Sequence, residues 1–234
     1  MTRRYYVPEL PAAGGPVDLS DEEARHAARV MRAESGDEIT LFDGRGNESL
    51  AVIQAIDKRH CCVSAAAPQL VDREPSREIH LGIALPKPER AKELIERLSE
   101  LGVKRVTPLV CQRTQRRPTN SLLEKLRRIV IESCKQSERN VLMEISTPVP
   151  LEKLCERPFS GVRWLAHPGG GSPVEAASTL GETETVTALI GPEGGFAEEE
   201  TDLAIGSGYQ AIGLGKRIYR IETAATAIAT ILSL

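Results

Sequence analysis

Three glycine-rich segments in the second half of this 234-residue chain have the residue types needed to hold a small ligand. They are His167-Pro168-Gly169-Gly170-Gly171, Gly191-Pro192-Glu193-Gly194-Gly195-Phe196, and Gly213-Leu214-Gly215-Lys216-Arg217-Ile218-Tyr219-Arg220. Glycine lets a chain turn sharply and brings its backbone close to a ligand. Two common nucleotide fingerprints fail here. The dinucleotide pattern breaks at Ile218, and a P-loop would need glycine at Gln210 and a hydroxyl at Arg217. One such segment alone is simply a turn. Three in succession, each after an apolar run, can frame one site.

Those apolar runs are the elements that must position the turns. Residues 162–166, 186–190 and 211–214 read as buried strands, and ligands of open parallel sheets bind beyond the carboxyl ends of their strands. Upstream, residues 79–85 and 103–110 are further strands. Residues 89–101, 122–137, 198–207 and 222–234 have helical periodicity. Strands alternating with helices predict a mostly parallel sheet covered on both faces. Before a polar, proline-bearing linker near residues 68–77, the pattern differs. Short strands at 36–44, 49–56 and 61–65 surround one helix, for which Ser20 is the expected cap and Glu23 the capping-box residue. The fold class is therefore α/β, with domains expected at 1–72, a compact β-barrel, and 73–234.

Composition narrows the partners. Aromatic residues make up 3% of the chain, too few for a stacking platform for single strands. Net charge is −3, yet residues 104–139 hold ten basic and three acidic side chains, which points to phosphate recognition. The five cysteines include no C-x-x-C pair and the four histidines show no ligand spacing, so no metal is expected. No apolar run approaches the roughly 20 residues that span a bilayer. Met1-Thr2-Arg3-Arg4-Tyr5-Tyr6 has basic residues but no apolar stretch behind them, so no signal peptide is expected. A cytoplasmic location without membrane attachment is expected.

The segment Leu189-Ile190-Gly191-Pro192-Glu193-Gly194-Gly195-Phe196, followed by Leu214-Gly215-Lys216-Arg217-Ile218-Tyr219-Arg220-Ile221-Glu222-Thr223-Ala224, resembles the paired signature of RsmE-type RNA methyltransferases. The resemblance extends over the chain. Arg3-Arg4-Tyr5, residues 26–32 and Leu41-Phe42-Asp43-Gly44 resemble the family's small PUA-like barrel. Glu100-Leu101-Gly102-Val103 and Gln136-Ser137 with Arg139 resemble its middle motifs. Gln112, Glu138 and Tyr219 depart from it, standing where an acidic residue, glycine and leucine are commoner.

The resemblance implies a PUA-like β-barrel followed by a SPOUT α/β domain with a deep C-terminal trefoil knot. It implies methylation of uridine N3 in 16S rRNA of the small ribosomal subunit, with S-adenosyl-L-methionine as donor and a homodimer formed through the knot region. On that reading Leu165, His167, Pro168, Leu189, Ile190, Gly191, Pro192, Glu193, Gly194 and Gly195 bind the donor. So do Leu214, Gly215, Ile218, Tyr219, Arg220, Thr223 and Ala224. Uracil N3 must lose a proton before it attacks. Arg220 is expected either to stabilise the resulting anion or to hold the donor's carboxylate. Glu222 is either the proton acceptor or an acidic residue stabilising a helix N-terminus. RNA contacts are expected at Arg3, Arg4, Arg29, Arg113, Arg116, Arg117, Gln136 and Arg139. The alternatives are a non-catalytic RNA-binding protein with a degenerate knot, a nucleotide-dependent α/β enzyme, or a SPOUT enzyme for another rRNA or tRNA position.

Overall fold

The computed structural model describes residues 3–234; Met1 and Thr2, quoted above at the amino terminus, lie outside the described residues. The chain forms two compact units, one of residues 1–74 and 131–142 and the other of residues 75–130 and 143–234. No helix among the described residues is long and apolar enough to cross a membrane.

In the first unit, β1 (Arg4–Tyr6), β3 (Glu38–Phe42), β4 (Asn47–Ile56), β5 (Cys61–Ala65) and β2 (Gly15–Asp18) follow one another in that order across a sheet, with β6 (Gln69–Leu70) also paired to β4. The β1–β3 pair is parallel and the others are antiparallel. The alternation of β5 is clear. Cys61 and Val63 are buried beneath the sheet, whereas Cys62 is only partly covered and Ser64 is exposed. Helix α1 (Asp21–Arg29) is capped as the sequence indicates, because the Ser20 hydroxyl accepts the Glu23 N–H at 3.3 Å. Glu23 does not complete a capping box. Its carboxylate accepts from Lys135 Nζ at 2.7–2.8 Å and from the Tyr6 N–H at 3.4 Å. A buried carboxylate needs a partner more than it needs to cap a helix.

Two features of this unit have energetic consequences. Glu48 accepts hydrogen bonds from Arg73 at 2.9 and 3.2 Å, Arg4 at 3.1 Å and Asn140 at 3.0 Å. Burial by itself would raise its pKa, but the bonds from Arg73, Asn140 and Arg4 overcome this and hold it at about 2. A depressed carboxylate stabilises the folded state above its unfolded pKa, and that contribution is lost as pH falls toward the folded value. Allowing for solvent screening, we expect wild type to lose about 2 kcal/mol from this group between about pH 4.5 and pH 2. Glu48→Gln should start correspondingly weaker at neutral pH and lose little over that window, as measured by urea denaturation at several pH values.

The second feature is Glu138, which has φ +61° just after α3 (Asn120–Ser137). This left-handed residue after a helix is where glycine commonly stands, which explains in backbone terms the departure noted above. Glu138→Gly should gain about 1 kcal/mol by removing the Cβ penalty, visible as a higher denaturation midpoint with an unchanged slope.

The second unit is built on an all-parallel sheet. Its order is β10 (Val149–Pro150), β8 (Arg105–Val110), β7 (Glu78–Ile83), β12 (Thr185–Ile190), β11 (Val162–Gly171) and β13 (Gln210–Ile212), with β9 (Glu144–Ile145) paired to β8. Central β12 is buried from Val186 to Ile190, as expected of a strand covered on both faces. Helices α2 (Pro88–Glu100), α4 (Leu151–Cys155), α5 (Pro173–Ser178), α6 (Glu198–Gly206) and α7 (Ile221–Ser233), with residues 120–130 of α3, complete it. Strand β11 is longer than its apolar run. It pairs with β13 as far as Ala166↔Ile212, bulges, and pairs again at Gly171↔Ile212.

Four buried polar side-chain atoms among the described residues find no partner: Arg4 Nε, Tyr5 Oη, His26 Nδ1 and Trp164 Nε1. Each such atom costs roughly 1–3 kcal/mol of desolvation.

Candidate active site

The three glycine-rich turns converge. The carboxyl ends of β11, β12 and β13, together with the segment entering α7, enclose a cavity of about 280 Å³. That is near the lower end of the range for small-molecule sites, roughly 300–1,000 Å³.

The fit between β11 and β13 explains the glycines. A Cβ on Gly170 would lie 2.4 Å from backbone atoms of Ile212, and one on Gly213 would lie 2.8 Å from the Gly170 carbonyl oxygen. The Gly213 N–H donates to the Gly171 carbonyl at 2.8 Å, locking the two turns together. In the first turn the Gly169 N–H donates to His167 Nδ1 at 3.2 Å, which leaves the neutral ring's proton on Nε2. Gly215 has φ +104° and open space where a side chain would start. Its backbone is therefore accessible to a ligand.

Two side chains outside the cavity hold the second turn. Arg113 donates to the Gly194 carbonyl at 2.7 Å and to the Phe196 carbonyl at 3.3 Å. Buried Glu200 accepts from the Ala197 N–H at 2.8 Å and the Gln112 N–H at 2.7 Å. The segments after β8 and β12 are thereby fastened to each other. At the start of this fastening, burial, with Glu200 nearby, pushes the Cys111 thiol up to about 12, which keeps it protonated at neutral pH.

Most residues expected to hold the donor line the cavity. His167 and Pro168 come from the first turn; Ile190, Gly191, Pro192, Glu193 and Gly195 from the second; Leu214, Gly215, Ile218, Tyr219 and Ala224 from the third and the start of α7. Leu165 and Leu189 do not line it; they are fully buried in the sheet behind. Gly194 faces Arg113 instead. Arg220, Glu222 and Thr223 also lie outside the lining. Arg220 is the exposed N-cap of α7, between lining residues Tyr219 and Ile221. Glu222 occupies the first turn of α7, 3.7 Å from Arg90.

The expected donor-binding set omitted Ala166, Phe196, Ile212, Arg217 and Ile221, which also line the cavity, although Phe196 and Arg217 stand within the glycine-rich segments themselves. Of these, Arg217 is the only one charged. It sits over the Tyr219 ring, 5.8 Å from its centroid, and donates to the Tyr219 hydroxyl at 3.1 Å. Extending the first and third segments by one residue toward the amino terminus would have found Ala166 and Ile212.

Among the residues expected at RNA, Arg29, Arg116 and Arg117 are exposed, as is Gln136. Arg3 is partly buried and pairs with Asp37. Two of the expected residues are buried and already paired. Arg4 is buried, bonded to Glu48 and Asn140. Arg139 is buried too, and its guanidinium forms a two-point pair with Glu74 at 2.8 and 2.5 Å. Both are internal ion pairs, because a buried guanidinium must be matched by a carboxylate. The basic run 104–139 is accordingly not one solvated stripe. Lys135 is buried between Glu23 and Glu132, and Arg105 pairs with Glu144. No group of three or more metal-ligating side chains gathers among the described residues.

Residues 72–233 match the family described as an RNA methyltransferase domain, and residues 19–65 match an RNA methyltransferase PUA domain. A ribosomal RNA small subunit methyltransferase E from Synechocystis sp. is 33% identical, with the alignment covering 97% of this chain and 75% of the relative. One from Aquifex aeolicus is 29% identical over 94% of each. Among solved structures, a methyltransferase from Legionella pneumophila in complex with the bound cofactor SAM shares 33% identity and a TM-score of 0.89, covering 99% of this chain and 97% of the other. A ribosomal RNA small subunit methyltransferase E from Neisseria gonorrhoeae bound to S-adenosyl methionine shares 28% identity and a TM-score of 0.90, covering 98% and 95%.

Proposed function

The chain belongs to the ribosomal RNA small subunit methyltransferase E family, RsmE, and from that premise we propose that it methylates N3 of one uridine in the small-subunit rRNA. It is an S-adenosylmethionine-dependent methyltransferase of small-subunit rRNA, with a PUA domain before its α/β domain. The observation that supports the reading most is the convergence of three glycine turns on a single cavity.

The residues present suit the donor. Apolar Ile190, Ile212, Leu214 and Ile218 offer packing for an adenine ring, and the turns offer backbone groups at close range. The donor, when bound, supplies a methyl group already activated by a cationic sulfur. The chain's own task is alignment, worth about 7–11 kcal/mol in well-oriented reactions, and management of the uridine N3 proton and the charge it leaves. Arg220, at the entry to α7, is the cation aimed at the uridine anion or the donor's carboxylate. Glu222 is either the proton acceptor or a carboxylate complementing the α7 dipole.

Arg3, Arg29, Arg116, Arg117 and Gln136 are the proposed RNA contacts, with Arg113 holding the Gly194–Phe196 turn as well. The C-terminal segment is proposed to thread a trefoil knot, and two copies to pair through that region. The proposed setting is the cytoplasm, where the ribosomal substrate is found. The test is to incubate the purified protein and donor with small subunits lacking the modification, then digest the rRNA and identify the methylated nucleoside by mass spectrometry. One 3-methyluridine per rRNA is expected. Methyl on a ribose or a guanine would assign a different reaction.

A further inference from the structure

The first unit has a cavity of its own, about 170 Å³, lined by three stretches far apart in sequence: Arg3-Arg4-Tyr5, His26 with Met31, and Lys135-Gln136 with Glu138. Three of the four residues that carry an unpartnered buried polar atom, Arg4 (Nε), Tyr5 (Oη) and His26 (Nδ1), are among its lining residues. We propose that this cavity seats one base of the substrate RNA, drawn out of its stack. The inference rests on the rRNA substrate proposed above and adds a recognition point in the first unit.

Size, charge and atom types favour a base. The volume is well below the roughly 300 Å³ at which sites for drug-sized ligands begin, and it suits a fragment such as a single heterocycle. The cations around it are already offset. Arg3 pairs with Asp37, Arg4 with Glu48, and Lys135 with Glu23 and Glu132, while Glu138 is itself in the wall. A phosphate would find little uncompensated positive charge. A neutral polar edge is a better match.

Arg4 Nε–H can only donate, so the occupant must present an acceptor such as a ring carbonyl or ring nitrogen. Burial pushes the Tyr5 hydroxyl up to about 12, so it keeps its proton at neutral pH and can donate too. The His26 ring, edge-on to Tyr5 with centroids 6.2 Å apart, can donate or accept. Met31 adds a polarisable thioether suited to a ring face. Sequence-specific RNA recognition commonly reads unstacked bases by their hydrogen-bonding edges, which needs no row of exposed aromatics.

The test uses the full chain and a transcript of the small-subunit rRNA, with affinity measured across a salt series. Tyr5→Phe deletes only the hydroxyl, and His26→Phe keeps a ring of similar shape. Each should weaken RNA binding about tenfold with an unchanged salt slope, because a base contact releases no counterions. Donor affinity, by calorimetry, should remain at the wild-type value. Tyr5→Phe should also melt at the same or a higher temperature, since it removes an unpartnered buried group. A purely structural role for Tyr5 would instead lower the melting temperature and leave RNA affinity alone. Wild-type RNA affinity in both variants would overturn the proposal and leave the cavity to ordered water. A reduced salt slope would overturn it in favour of a phosphate contact. If the wild-type protein itself neither binds nor methylates rRNA, the substrate reading falls first, and that outcome is distinct from the other two.

Discussion

Gly170→Ala should weaken S-adenosylmethionine binding by a hundredfold or more, whereas Gly169→Ala, one residue earlier, should bind nearly as wild type. The difference lies in what each new methyl group meets. At Gly170 it would lie 2.4–2.5 Å from the N, Cα and C atoms of Ile212, all of them backbone. Nothing there can swing aside, so β11 and β13 must separate. Separation sacrifices the Gly171↔Ile212 pairing and the bond from the Gly213 N–H to the Gly171 carbonyl. It also moves His167, Pro168, Ile212 and Leu214, four walls of the cavity. A hundredfold loss corresponds to about 2.7 kcal/mol, modest for a backbone clash of this depth. At Gly169 the nearest neighbours are His167 ring atoms at 3.5 and 3.7 Å, ordinary contact. Calorimetric titration of both variants, with circular dichroism to confirm folding, gives the comparison. Equal affinities would mean that the β11 bulge does not frame the site.

Arg220→Ala should lower turnover by 10²–10³ while changing donor affinity by less than about threefold, the range expected when one preorganised charge partner of a developing anion is lost. Arg220 is exposed and heads α7 without a side-chain capping bond, so its removal leaves the cavity's walls in place. Single-turnover rates and donor titration separate its two proposed roles. A loss confined to rate assigns Arg220 to the uridine. A large fall in donor affinity assigns it to the donor's carboxylate. Full activity removes it from the reaction. Glu222→Gln is the natural companion variant: a proton acceptor loses rate at all donor concentrations, whereas a helix-stabilising carboxylate loses only stability.

The elements nearest the site were the most legible in the sequence. The run 186–190 has turn residues after it and is too apolar for anything but a covered strand; it appears as β12, one residue longer. The β5 boundaries, Cys61–Ala65, could be read from alternation alone. Strand β1 could not, because three residues become a strand only by pairing in parallel with β3 about 36 positions away. The extension of β11 past Ala166 was equally invisible, since Gly169–Gly171 lacks any strand propensity and is held by its neighbour. Long-range pairing of charges was hidden for a related reason. The family resemblance singled out Arg4 and the basic run included Arg139, but neither shows that Glu48 and Glu74, 44 and 65 positions distant, pair with them inside the fold. Nor did periodicity indicate that residues 131–142 pack with the N-terminal unit.

The fastening between Gln112 and Glu200 has a consequence for which positions can drift. Gln112 takes part through its main-chain N–H, a group every residue except proline possesses, and its own side chain is exposed. Glu200 takes part through both oxygens of a buried carboxylate, which no other side chain reproduces at that reach. Substitution at 112 therefore leaves the latch intact, so an uncommon glutamine can settle there at no structural cost, while change at 200 would unfasten the Gly191–Phe196 turn.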